Sequence, residues 1–111
     1  MAQDPDLSLQ DLEELLALQE SVGYYKKMVR KAPSTVDFEP MLAFSQHQLA
    51  EFYLEREMYP EAIDVLIECL YNYMFHVGTE ADTALNDVFE KLGEDHELVK
   101  DAKKRMVGIN I

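Results

Sequence analysis

The chain has no tryptophan, one cysteine, four glycines and four prolines in 111 residues. With Cys69 alone there is no internal disulfide framework, no C-x-x-C pair and no thiolate zinc site. Sparse glycine and proline, without runs of alternating β-branched residues, exclude an all-β sandwich or barrel. No apolar run reaches the ~18 residues of a membrane span. Bases are scarce: ten Lys and Arg face twenty-two Asp and Glu, a net charge of −12. Such a chain is repelled by nucleic acid and by anionic membranes, so neither is expected as a partner. The start, Met1-Ala2-Gln3-Asp4-Pro5-Asp6, is acidic and reads as neither a signal nor a transit peptide.

What is present is enough for one domain. Apolar residues make up 48% of the chain, and a chain of this size buries about two-thirds of its unfolded surface. Charge is unevenly placed. Residues 1–20 hold six acids and no base, and residues 32–90 hold twelve acids and only Arg56. Eight bases form two clusters, Lys26, Lys27, Arg30, Lys31 and Lys100, Lys103, Lys104, Arg105. Both sit where cations oppose the negative end of a helix dipole.

The punctuation predicts six helices, so the fold class is all-α with antiparallel helical hairpins. Ser8 caps a first helix carrying Leu9, Leu12, Leu15 and Leu16 to about Glu20. Gly23 is expected to break it, with a second helix from Tyr24 to Ala32. A third helix runs from Glu39 to Arg56, with Pro40 in its first turn. Pro60 opens a fourth to about His76, ended by Gly78. Thr79 caps a fifth, Glu80 to Leu92, ended by Gly93. A sixth spans about Asp95 to Met106. Links of two to six residues make successive helices antiparallel neighbours.

The third and fourth helices carry Leu49, Ala50, Tyr53, Tyr59, Ala62, Leu66 and Cys69, spaced as in a tetratricopeptide (TPR) repeat. Small Ala50 and Ala62 allow close helix approach, and Tyr53 and Tyr59 fill the space near the turn. The stretch Ala84-Leu85-Asn86-Asp87-Val88-Phe89-Glu90-Lys91-Leu92-Gly93, then Leu98-Val99 and Lys103-Lys104-Arg105-Met106, follows it. Together these resemble the TPR-like C-terminal domain of YbbN-type thioredoxin-related co-chaperones, over about residues 33–107. The resemblance implies a helical protein-binding domain that holds clients or docks onto chaperones. Residues 1–32 are too short and too helical to be the thioredoxin domain that precedes this region in the family, so that domain is not expected here. The family's redox role is therefore not implied. Divided this way, 1–32 are divergent N-terminal helices, 33–107 the family-like region and 108–111 a tail.

Candidate chemistry is thin. His47, His76 and His96 share no metal-ligand spacing, and His47 with Glu51 reads as an ordinary i,i+4 surface pair. Glu51, Glu55, Asp64 and Glu68 lack the Glu-x-x-His pairs of a carboxylate metal site. Ser21, Ser34 and Ser45 have no nucleophile-elbow context, and no glycine-rich phosphate loop is present. Cys69 falls at a packing position, where a thiol is an inert small hydrophobe. Tyr24-Tyr25 beside Lys26-Lys27 reads as core or interface. No cofactor, metal or catalytic residue is expected.

The fourth helix is apolar nearly all round. Two faces account for most of it, leaving Ile67, Tyr71 and Phe75 on a further stripe. Either this helix is central or a partner covers that stripe. With Ile109 and Ile111 of the apolar tail, Ile67, Tyr71 and Phe75 are the expected protein-binding residues. The expected function is a non-catalytic interaction module, a co-chaperone-like adaptor or small complex subunit. Its partner would be a protein with basic surface. The alternatives are an accessory subunit of an organellar assembly and, more remotely, a helical metal-binding enzyme. Lone cysteine usage fits a reducing compartment, cytoplasm or mitochondrial matrix.

Overall fold

A computed structural model describes residues 7–31, 38–72 and 80–107, with the side chains of Tyr71, Asn72 and Glu80 outside that description. All elements described are α-helices: α1 (Leu9–Lys31), α2 (Glu39–Glu55), α3 (Tyr59–Asn72), α4 (Glu80–Leu92) and α5 (Glu97–Arg105). The all-α expectation holds, with five helices in place of six.

The difference lies at Gly23, which sits inside α1. A single glycine costs a helix about 1 kcal/mol relative to alanine, which is a penalty and not a stop. Tertiary contacts on both sides of it outweigh that cost. Leu15, Leu18 and Val22 before it, or at it, and Tyr25 and Val29 after it all pack on one cluster with α2. Ser8 opens α1 as expected, its hydroxyl accepting from the Asp11 N–H at 3.0 Å. Arg30 and Lys31 close it.

Pro40 stands in the first turn of α2, where no N–H is needed. That helix ends in a Schellman motif. Glu57 takes the left-handed conformation (φ 59°). Its N–H donates to Leu54 C=O at 3.1 Å and the Met58 N–H to Tyr53 C=O at 2.9 Å. The chain then reverses directly into α3. The expected extension of this helix to His76, with Gly78 and Thr79 beyond, lies outside the described residues. Gly93, with φ 96°, ends α4 as expected, its N–H donating to Phe89 C=O at 2.8 Å. The sixth helix of the sequence reading is α5, shorter at both ends. His96 caps it, Nδ1 accepting from the Leu98 N–H at 3.1 Å.

Packing follows chain order: α1 lies on α2, α2 on α3, α3 on α4, and α5 returns to α3. The array is a slab of 44 × 40 × 21 Å with a radius of gyration of 14.6 Å. That exceeds the ~13 Å of a compact domain of this length. Two apolar clusters fill it. One joins α3, α4 and α5 around Leu66, Leu85 and Val99. The other joins α1, α2 and the start of α3 around Leu49, Phe52 and Ala62. Ala50 of α2 belongs to the first and Ala62 of α3 to the second, so each small residue is buried by the facing side of the hairpin.

Ion pairs fasten the outer helices. Arg56 Nη2 meets Asp11 of α1 at 2.8 Å while its guanidinium lies 3.7 Å over the Phe52 ring. Lys26 of α1 meets Glu68 of α3 at 2.6 Å, and Arg105 of α5 meets Asp64 of α3 at 2.8 Å.

Candidate functional site

Ile67, expected on an exposed stripe, is only 4% exposed and belongs to the α3–α4–α5 cluster. The reason is topological. With α2, α4 and α5 all packed on α3, the helix is central, and Ile63, Leu66, Ile67 and Leu70 are core. The Tyr71 side chain and all of Phe75, Ile109 and Ile111 lie outside the described residues.

The side chains that do converge come from α2 and α4. One turn apart on α2 stand His47 and Glu51, then Ala50 and Leu54 beside them. On α4, Thr83, Asp87 and Lys91 stand at i, i+4, i+8, with Ala84 and Val88 alongside. Such spacings place residues on one helix face. Together with Tyr59 at the start of α3 they line a cleft of about 560 Å³. Its floor is apolar, with Ala50 and Val88 buried and Leu54 and Ala84 partly so. Its rim is polar, since Glu51, Thr83, Asp87 and Lys91 are exposed.

Charge of both signs borders it. His47 Nε2 lies 3.5 Å from a Glu51 carboxylate oxygen. The other ring nitrogen, Nδ1, is buried without a hydrogen-bond partner among the described residues. Across the cleft the Lys91 ammonium lies 5.9 Å from the centre of the Tyr59 ring. Two carboxylates at the rim against one lysine leave the mouth acidic. Among the described residues, no three His, Cys, Asp or Glu side chains converge to hold a metal ion. No helix there is long and apolar enough to cross a membrane.

The other residues weighed from the sequence are dispersed. Cys69 is buried, 3.9 Å from the Ala43 carbonyl oxygen. Desolvation, with a smaller contribution from the Glu68 charge, pushes its thiol up to about 11. Asp64 and Glu68 each bond a neighbouring helix. Ser45 is buried on α2. Sequence reasoning had the His47–Glu51 pair but not the α4 side of the cleft. A signal existed: Ala50 and Ala84, and likewise Leu54 and Val88, are separated by 34 residues, the length of a tetratricopeptide unit.

Comparison with family models, with curated proteins and with solved structures returns no match.

Proposed function

We propose that the protein is a non-catalytic protein–protein interaction module of the co-chaperone-adaptor kind. It holds a basic, partly apolar segment of a partner protein in the cleft between α2 and α4. The observation that supports this reading is the make-up of the cleft. A strip of alanine, leucine and valine lies beneath a rim carrying Glu51, Asp87 and Lys91. An apolar strip suits the side chains of a bound segment, and hydrated rim charges suit selection of its sign.

The test is direct binding of a peptide panel, basic-apolar against acidic-apolar, to the whole chain. Basic-apolar peptides are expected to bind and acidic ones not. The Glu51→Lys/Asp87→Lys variant should bind at least about tenfold more weakly, which is ~1.4 kcal/mol. Glu90→Lys, an exposed change on α4 away from the cleft lining, is the control and should bind as the original does. Unchanged binding by a folded cleft variant would remove the cleft from the reading.

A further inference from the structure

Among the described residues, none packs on the outward side of α1. Leu9, Leu12 and Leu16 are 75%, 43% and 59% exposed, and their i, i+3, i+7 spacing puts them on one stripe. The opposite stripe, Leu15, Leu18, Val22, Tyr25 and Val29, is the one that packs into the protein. An amphipathic helix needs only one apolar stripe to dock on its own domain. Here there are two.

The charges of α1 specify what fits the second. Its first half holds Asp11, Glu13, Glu14 and Glu20 with no base, and its last eight residues hold Lys26, Lys27, Arg30 and Lys31 with no acid. Some serve inside the chain: Asp11 and Glu14 face Arg56, and Lys26 faces Glu68. Glu13, Glu20, Lys27 and Lys31 make no ion pair among the described residues. At 100° per residue they fall within the same outward sector as Leu9 and Leu16. The outward face is therefore apolar along its axis, acidic at one end and basic at the other.

We propose that two copies of this chain associate through α1, related by a two-fold axis, with their α1 helices antiparallel. That arrangement lays the acidic first half of each helix on the basic second half of the other, twice over by symmetry. A parallel pairing sets acid on acid. Tyr24, also exposed, extends the apolar surface beside the basic half, where the Leu9–Leu16 stretch of the second copy lies. The pairing brings Glu13 and Glu20 of each copy toward Lys27 and Lys31 of the other. It also overcomes the repulsion between two bodies of charge −12, since attraction is concentrated where they touch and distant charges are screened beyond about 8 Å in physiological salt.

The test is the solution mass of the whole chain by sedimentation, from micromolar to millimolar concentration. A dimer is expected whose dissociation constant rises with salt. Leu12→Gln/Leu16→Gln, at exposed positions, should keep its helical content and weaken the dimer by about tenfold per leucine. Two charge variants give the decisive reading. Glu13→Lys/Glu20→Lys and Lys27→Glu/Lys31→Glu should each be monomeric alone, and their equimolar mixture should form a heterodimer. A wild-type chain that stays monomeric at millimolar concentration overturns the proposal and leaves the stripe to a different protein. So does a dimer indifferent to the leucine changes, or charge variants that do not pair on mixing.

Discussion

Gln46 is the residue whose chemistry disagrees most with its place. It is fully buried on α2, and neither its Oε1 nor its Nε2 has a hydrogen-bond partner among the described residues. An unmet buried amide costs on the order of 1–3 kcal/mol. Gln46→Met keeps length and volume while removing the polar atoms. It should therefore raise the midpoint of thermal unfolding, by the equivalent of about 1 kcal/mol or more. A fall in the midpoint would mean that the amide is satisfied after all. Cys69 is the opposite case, a small apolar residue in an apolar place. Its thiol stays protonated well above neutral pH because burial pushes it up to about 11. A thiol reagent at mildly alkaline pH should label it slowly in the native state and at once in denaturant, since the thiolate is the nucleophile. Native labelling as fast as that of a free peptide would place Cys69 outside the core.

At the scale of the element, most of the helices were legible because each boundary is marked by a local device. The Ser8 cap, Pro40 in a first turn and Gly93 at a left-handed position work through backbone geometry that the sequence displays. Gly23 was misleading because its meaning is not local. It sits in helix α1 in open space, with no described atom beyond its own helix backbone and chain neighbours within 4 Å of where a Cβ would stand. Gly23→Ala should accordingly stabilise the protein by about 0.5–1 kcal/mol, through lower chain entropy in the unfolded state. A loss of stability would show that the glycine is required there. The α2–α3 hairpin makes the reverse point. Ala62 is fully buried among Leu49, Phe52 and Tyr53, so Ala62→Leu should overpack the contact and cost about 1–3 kcal/mol. Tolerance of that change, seen as an unshifted melting midpoint, would remove the close approach on which the hairpin depends. The binding residues were less legible. Periodicity showed that the third and fourth residues along from any position share a face, but not that three helices would converge on α3 and bury Ile67. The cleft was hidden for a related reason, since it draws on α2 and α4, which are far apart in sequence.

For the whole molecule, the question is what holds a slab together when its layers follow one another in chain order. The outer helix α1 packs one stripe on α2, and Arg56 ties down its first turns. That side chain reaches Asp11 at 2.8 Å, donates to the Phe52 carbonyl oxygen at 2.9 Å and lies over the Phe52 ring. The hydrogen bond from Arg56 is the largest influence on Asp11 and holds its carboxyl below the usual range. Partial desolvation opposes this, and the Arg56 charge and Ser8 assist. Asp11 thus has a lower pKa folded than unfolded, and folding favours its ionised form. The stabilisation is complete above the ordinary aspartate value of about 3.9 and is lost as pH falls through the lowered folded value. Asp11→Asn isolates this contribution from the many other acids of the chain. Melting midpoints of the two proteins should differ at neutral pH, with the original the more stable. The gap should begin to narrow below about pH 4 and close only once the pH is under the lowered folded value, where both carry a neutral side chain at position 11. Added salt should narrow it at neutral pH as well, because the pair is partly exposed and open to screening. A gap that is the same at acid and neutral pH would mean that Asp11 acts only by shape, and that the apolar stripe and the Lys26–Glu68 pair secure α1 without a charge at position 11.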